Sequence, residues 1–171
     1  MKKITVILII LLISGFAFAA TVDTGTLTAY GKVATGTATF AVTQTQLSNQ
    51  QVDLTLPIVA STGDGYVIGS WEFNADNQAT AISYTVTYTY GELTNGTYNI
   101  EYTVLEYAEG ASTGGTAKAT GGTTTVNAST GDNNVVKNIG FRLTATGDTD
   151  VETAPGSINY QDTITITMTT T

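Results

Sequence analysis

The chain contains no histidine and no cysteine, and it has a single arginine and two prolines. Without imidazole or thiol, the usual nucleophile–base triads, thiolate chemistry and histidine- or cysteine-ligated metal sites have no parts to be built from. With one guanidinium, a bidentate fork for phosphate recognition is equally lacking. The absence of cysteine also removes disulfides, so the hydrophobic core must hold the fold unaided. Six basic side chains stand against 14 acidic ones, for a net charge of −8. Such a surface repels nucleic acid and anionic lipid.

Long apolar runs are also scarce. The one present, Ile4–Ile13, follows Lys2-Lys3 and precedes Ala17-Phe18-Ala19. A basic start, an apolar segment and an A-x-A site predict a secretory signal peptide over residues 1–19. The run is shorter than the ~20 residues that span a bilayer, which disfavours a retained anchor and any membrane insertion after cleavage. No cysteine is available for lipidation, and Ala20 stands where a type IV pilin leader would carry an acidic residue. Residues 20–171 have the length of one domain on the outer side of a cell membrane, secreted or held at the surface.

What fills that domain is threonine, at 35 positions, together with glycine turns and nine tyrosines in the whole chain. This composition favours strands over helices, and no window after residue 19 carries a 3.6-residue apolar period. Period-two alternation recurs instead. The clearest case runs through Ile82, Tyr84, Val86, Tyr88 and Tyr90, with hydroxyl residues between them. Asn95-Gly96 turns the chain into Tyr98, Ile100, Tyr102 and Val104. Val67, Gly69, Trp71 and Phe73 share one face after the Gly63-Asp64-Gly65 turn, with a loop expected at Asn74–Asn77. Ala38, Phe40 and Val42 mark an earlier strand, and Val52, Leu54 and Leu56 another that ends at Pro57. Gly110–Gly131 reads as a long mobile excursion with a weak strand near Thr123–Val126. Ile139, Phe141 and Leu143 return to the core, and Gly147–Gly156 reads as an acidic loop. The closing segment from Ile158 onward alternates again, with Tyr160, Ile164, Ile166 and Met168 on one parity and threonines on the other. Eight or nine short strands spaced by turns predict an antiparallel β-sandwich, comprising residues 37–171.

Residues 20–36 form a leader set off by Gly36. Within it Leu27, Ala29, Gly31 and Val33 alternate with polar neighbours, as a strand would. Candidate chemistry elsewhere is thin. Asp148, Asp150 and Glu152 put three carboxylates within five residues, a cluster suited to calcium, although the spacing is not that of an EF-hand. Glu101 with Glu106 or Glu109 is a conceivable acid–base pair of the glycosidase kind, but Glu101 and Glu109 fall at outward positions and solvation accounts for them. Asn95-Gly96-Thr97 and Asn127-Ala128-Ser129 match the glycosylation pattern. Lys137 could enter an isopeptide crosslink. Trp71, Phe73 and the tyrosines fall at inward positions, which favours packing over sugar stacking. No catalytic role is expected.

Three pieces taken together resemble secreted domains of the spore coat protein U and fimbrial-subunit type. They are Ile82–Tyr90 with its Gly-Glu-Leu-Thr-Asn-Gly turn and Tyr98–Val104, then Ile139-Gly-Phe-Arg-Leu, then Tyr160-Gln-Asp162-Thr-Ile-Thr-Ile-Thr after a Pro-Gly loop. The chain is similar also to the camelysin/TasA-like fibre proteins, which are Cys-free sandwiches. The resemblance implies an immunoglobulin-like sandwich that exchanges a strand with a neighbouring copy, as in strand addition generally. Leu27, Ala29, Gly31 and Val33 would then be the donor residues, and Tyr160, Asp162, Ile164, Ile166 and Met168 would belong to the closing strand. The cysteine pair common in fimbrial subunits is absent. The other expectation is a monomeric surface module for glycans or protein partners, bound through the loops at Asn74–Ala79 and Ala111–Gly131.

Overall fold

The computed structural model describes residues 27–33, 36–46, 51–156 and 159–171. The signal peptide at 1–19, Ser48-Asn49, where the sequence predicts a turn leading into Val52, and Ile158 lie outside them. The described residues are all-β apart from one short helix, with their strands arranged as antiparallel sheets packed face to face.

The larger sheet has six strands: β1 (Leu27–Val33), β2 (Gly36–Gln44), β3 (Tyr66–Gln78), β7 (Tyr102–Ala108), β8 (Thr116–Lys118) and β10 (Gly131–Leu143). They lie in the order β1-β2-β3-β10-β7-β8. The smaller sheet holds β4 (Ile82–Thr89), β9 (Thr123–Ala128) and β11 (Thr165–Thr170), in the order β11-β4-β9. A two-stranded ribbon of β5 (Leu93–Thr94) and β6 (Asn99–Ile100) carries the Asn95-Gly96 turn. There are eleven strands among the described residues, against the eight or nine expected. The extra ones are pieces two or three residues long, too short to show a period.

Alternation puts the core between the sheets. On β3, Trp71, Phe73 and Ala75 are buried; on β4, Tyr84, Val86 and Tyr88; on β11, Ile166 and Met168. The Phe73 and Tyr84 rings meet across the interface at 4.8 Å between centroids, and Phe40 of β2 leans on Trp71 at 5.7 Å. Strand β7 departs from strict alternation: Val104, Leu105, Glu106 and Tyr107 are all buried in succession. Its outer face is covered by the turn at Gly65, over which the Tyr107 hydroxyl donates to the Asp64 carbonyl at 2.6 Å.

Four expectations are corrected. Residues 52–56 are not a strand. The Asp53 carboxylate accepts from the Thr55 backbone N–H and hydroxyl, an Asx turn that draws the backbone out of any ladder. Val52 and Leu54 are still half-buried, while Leu56 is exposed. Asn74–Asn77 is not a loop but the continuation of β3, paired with both β2 and β10. Gly110–Gly131 is not an unstructured excursion. The weak strand expected near Thr123–Val126 is there as β9 in the smaller sheet, and the region also contributes β8 to the larger one. The acidic loop is helix α1 (Ala145–Thr153). The Thr144 side chain caps it by accepting from the Gly147 N–H at 3.1 Å, and Pro155 lies just beyond its end, where helices stop. The helix is polar almost all round, which is why no apolar period announces it.

Gly147 lets this helix sit against the sheet. A Cβ there would lie 1.9 Å from the Glu101 carbonyl oxygen. Gly147→Ala is therefore expected to destabilise the fold by about 2–4 kcal/mol in urea unfolding. Gly156→Ala, where a Cβ meets nothing within 4 Å, should change it by less than ~0.5 kcal/mol. Equal midpoints for the two variants would refute this packing.

Candidate functional site

Two features stand out: a polar relay inside the core and an open side of the sandwich. The relay begins on β3, where the Trp71 indole N–H donates to the Tyr88 hydroxyl at 2.8 Å. Tyr88, from the opposite sheet, donates in turn to the Glu106 carboxylate on β7. The same oxygen of Glu106 accepts from the Thr124 hydroxyl of β9 at 2.8 Å. Its other oxygen faces Lys118 Nζ of β8 at 3.7 Å, and that ammonium also sits 6.0 Å from the centre of the Tyr88 ring. Five side chains from five strands thus satisfy one another across the two sheets.

A buried carboxylate invites a catalytic reading, but Glu106 is fully occupied and has no carboxylate partner beside it. Glu101 uses its backbone N–H to meet Asp150 at 3.1 Å, and Glu109 is exposed beyond the end of β7. The pairs considered from sequence are not assembled. The relay itself had one visible signal: Glu106 shares parity with the inward residues Tyr102 and Val104, an unusual place for a charge.

A second tyrosine–carboxylate pair lies nearer the surface. Tyr102 donates to Asp162 at 2.6 Å, and the same carboxylate oxygen accepts from the Gly91 N–H at 2.7 Å. The Tyr102 ring packs on Tyr90 and Phe141. Burial, reinforced by the neighbouring carboxylate, holds the Tyr88 and Tyr102 hydroxyls far above the ordinary tyrosine value.

The open side is set by strand order. One pair of sheet edges is joined through the β8–β9 connection. At the other, β11 ends the smaller sheet and pairs only with β4, while β1 ends the larger sheet and pairs only with β2. Between β11 with its approach, Asp162–Ile166, and residues of β2 and β3 runs a groove of about 390 Å³, lined by Val42, Gln44, Ile68, Ser70, Ile164 and Ile166 among others. Adjoining it is a cleft of about 700 Å³ between the 51–55 turns, the end of α1 and residues 159–162.

The sequence candidates distribute as follows. Leu27, Ala29, Gly31 and Val33 lie on β1, opposite Val42, Phe40, Ala38 and Gly36 of the same chain. In the closing segment, Ile166 and Met168 are buried and Ile164 half-buried, but the strand begins at Thr165; Tyr160 and Asp162 precede it, tied by the bridge of Gln161 to Thr94. Asp148 accepts from the Ser61 N–H and hydroxyl, Asp150 from Glu101, and Glu152 is exposed. Among the described residues no group of three or more carboxylates is close enough to hold a metal ion. Lys137 lies on β10 opposite Trp71 and Ala108. Asn95 is bonded within its turn, and Asn127 accepts from Ser83. Trp71 and Phe73 are wholly buried.

No protein-family model, curated protein or solved structure matches this chain.

The relay and the Tyr102 pair generate an alkaline prediction. Below about pH 10 these tyrosines are neutral in both folded and unfolded chains. Above it the unfolded chain loses their protons while the folded one keeps them, so the folded state binds more protons and stability falls as pH rises. Each tyrosine removes about 1.4 kcal/mol per pH unit above ~10. Loss of near-ultraviolet circular dichroism is expected to coincide with a cooperative late step in tyrosinate absorbance; ionisation of all nine tyrosines near pH 10 with the dichroism intact would contradict it. Glu106→Ala, which strands Lys118 in a buried site, should cost about 3–5 kcal/mol in chemical denaturation. A loss under ~1 kcal/mol would show the relay to be dispensable.

Proposed function

We propose that this protein is a secreted structural subunit of a cell-surface fibre, pilus-like filament or coat, and that copies assemble by exchanging β-strands. The observation that carries the reading is the unpaired edge of β11 beside an apolar-floored groove. An edge strand presents a row of open N–H and C=O groups, a template for another chain. Isolated hydrophobic edges are normally blunted by charge or proline, and Thr165–Thr170 contains neither. An incoming strand would satisfy the edge with main-chain bonds and set every second side chain into the groove.

The donor is β1 of a neighbouring copy, with Leu27, Ala29, Gly31 and Val33 in register. In its own subunit this segment is an edge strand held by β2 alone. Exchange moves this strand from its intrachain place beside β2 to the β11 edge of a neighbour, trading one main-chain ladder for another. Because such a contact is heterologous, it propagates to an open filament. No catalysis is invoked, since the one buried carboxylate is held by hydroxyls and an ammonium. The alternative, a monomeric module for glycans or protein partners, draws support from the adjoining cleft.

Negative-stain electron microscopy with light scattering separates these readings. Regular filaments are expected from the purified chain, and deleting residues 20–33 should leave a folded body that no longer polymerises. A sharp monomer, or filaments unchanged by the deletion, would reject strand exchange through β1.

A further inference from the structure

The cleft beside the groove differs from it in chemistry. Of the six glutamines in the chain, four line this cleft: Gln44, Gln46, Gln51 and Gln161. Asn159 adds a fifth primary amide, and no lysine or arginine is among the lining residues. The side chains of Gln51, Asn159 and Gln161 are exposed to the cleft solvent, and no residue of the described chain engages them in a hydrogen bond. The half-buried Tyr160 and apolar Ile68 and Leu93 supply the floor.

We infer that this cleft binds a neutral carbohydrate. A primary amide presents donors and an acceptor side by side, the complement of adjacent sugar hydroxyls. A volume of about 700 Å³ falls within the range of small-ligand sites, which combine an apolar lining with a few polar groups. Anionic ligands are disfavoured, because the charged lining groups are Asp53 and Asp162 and nothing cationic opposes them. Another polypeptide strand is disfavoured at this level for a separate reason. The backbone of Gln161 is already bridged in both directions to Thr94, at 3.0 Å each way, so at that position only the side chain is left to recognise a ligand. The inference does not require polymerisation. In a filament, however, repetition of a weak site would give avidity to a polymeric glycan.

The test is calorimetric titration of the purified chain with neutral oligosaccharides of glucose, galactose, mannose and N-acetylglucosamine, three to six units long. At least one series is expected to bind with Kd between ~10 μM and ~1 mM, with little change on raising sodium chloride, since no ion pair is formed. Gln51→Ala combined with Gln161→Ala should weaken binding about tenfold or more, while near-ultraviolet dichroism is unchanged; Asn134→Ala, an exposed residue outside the cleft lining whose amide meets Glu72, should not weaken it. No binding by any series at millimolar concentration overturns the inference. So does binding indifferent to the double substitution, binding confined to anionic saccharides, or occupation of the cleft by a peptide of residues 27–33 in place of every sugar.

Discussion

The Tyr88 hydroxyl is the point on which the two sheets are registered. It accepts from Trp71 and donates to Glu106, so that one oxygen ties β3 and β7 of the larger sheet to β4 of the smaller. Apolar packing alone would let two sheets slide, because dispersion is not directional. A buried hydrogen-bond relay has no such tolerance: a shift of one residue would turn every partner to the opposite face and leave Trp71, Tyr88 and Glu106 unsatisfied in the core. In a chain without disulfides this relay is the feature that singles out one alignment of the sandwich. The relay also sets a condition on sequence. Its donor and acceptor must stand at inward parity on strands that face each other, which Trp71, Tyr88 and Glu106 do.

Much of this was legible beforehand, and the reasons differ by element. Strands such as Ile82–Thr89 and Thr165–Thr170 bury one face and wet the other, so their alternation reports their environment directly. Strand β7 is covered on both faces from Val104 to Tyr107, so the alternation that Tyr102 and Val104 show breaks off there. Helix α1 was hidden because it buries little beyond Gly147; only Thr144 and Pro155, its two boundary residues, betray it. Residues 52–56 mislead in the opposite sense. Their alternation is real, but a local Asx turn at Asp53 overrides it. The 110–131 region lacked large side chains and so looked unable to order. Its order comes from backbone ladders to β7 and β4 and from Tyr90, whose hydroxyl reaches the Lys118 carbonyl at 2.6 Å.

The site residues followed a harsher rule. The carboxylates at 148, 150 and 152 are close in sequence, but a helix separates neighbours round its axis, and Asp148 and Asp150 each find a backbone donor from another segment. Proximity along the chain was the wrong measure for them. The five amides of the cleft show the converse. They come from residues 44–51 and 159–161, far apart in sequence, and only the approach of the closing segment to the end of β2 places them together.

The asymmetry of the edges gives the molecule its direction. Where β8 passes into β9, a single short connection serves both sheets, with β8 paired to β7 and β9 to β4. On the opposite side the closing strand stops at β4 and the first strand at β2, so the larger sheet extends further than the smaller one covers. A sandwich of six strands against three is unbalanced on that side, and the proposed strand exchange would add a strand to β11 there. Strand β1, held by β2 alone, carries an alternating sequence at the edge of the larger sheet. Supply and vacancy lie on one side of each molecule, where β1 pairs only with β2 and β11 only with β4. In the proposed assembly, a strand from a second copy would lie over the part of the larger sheet that the smaller one leaves bare.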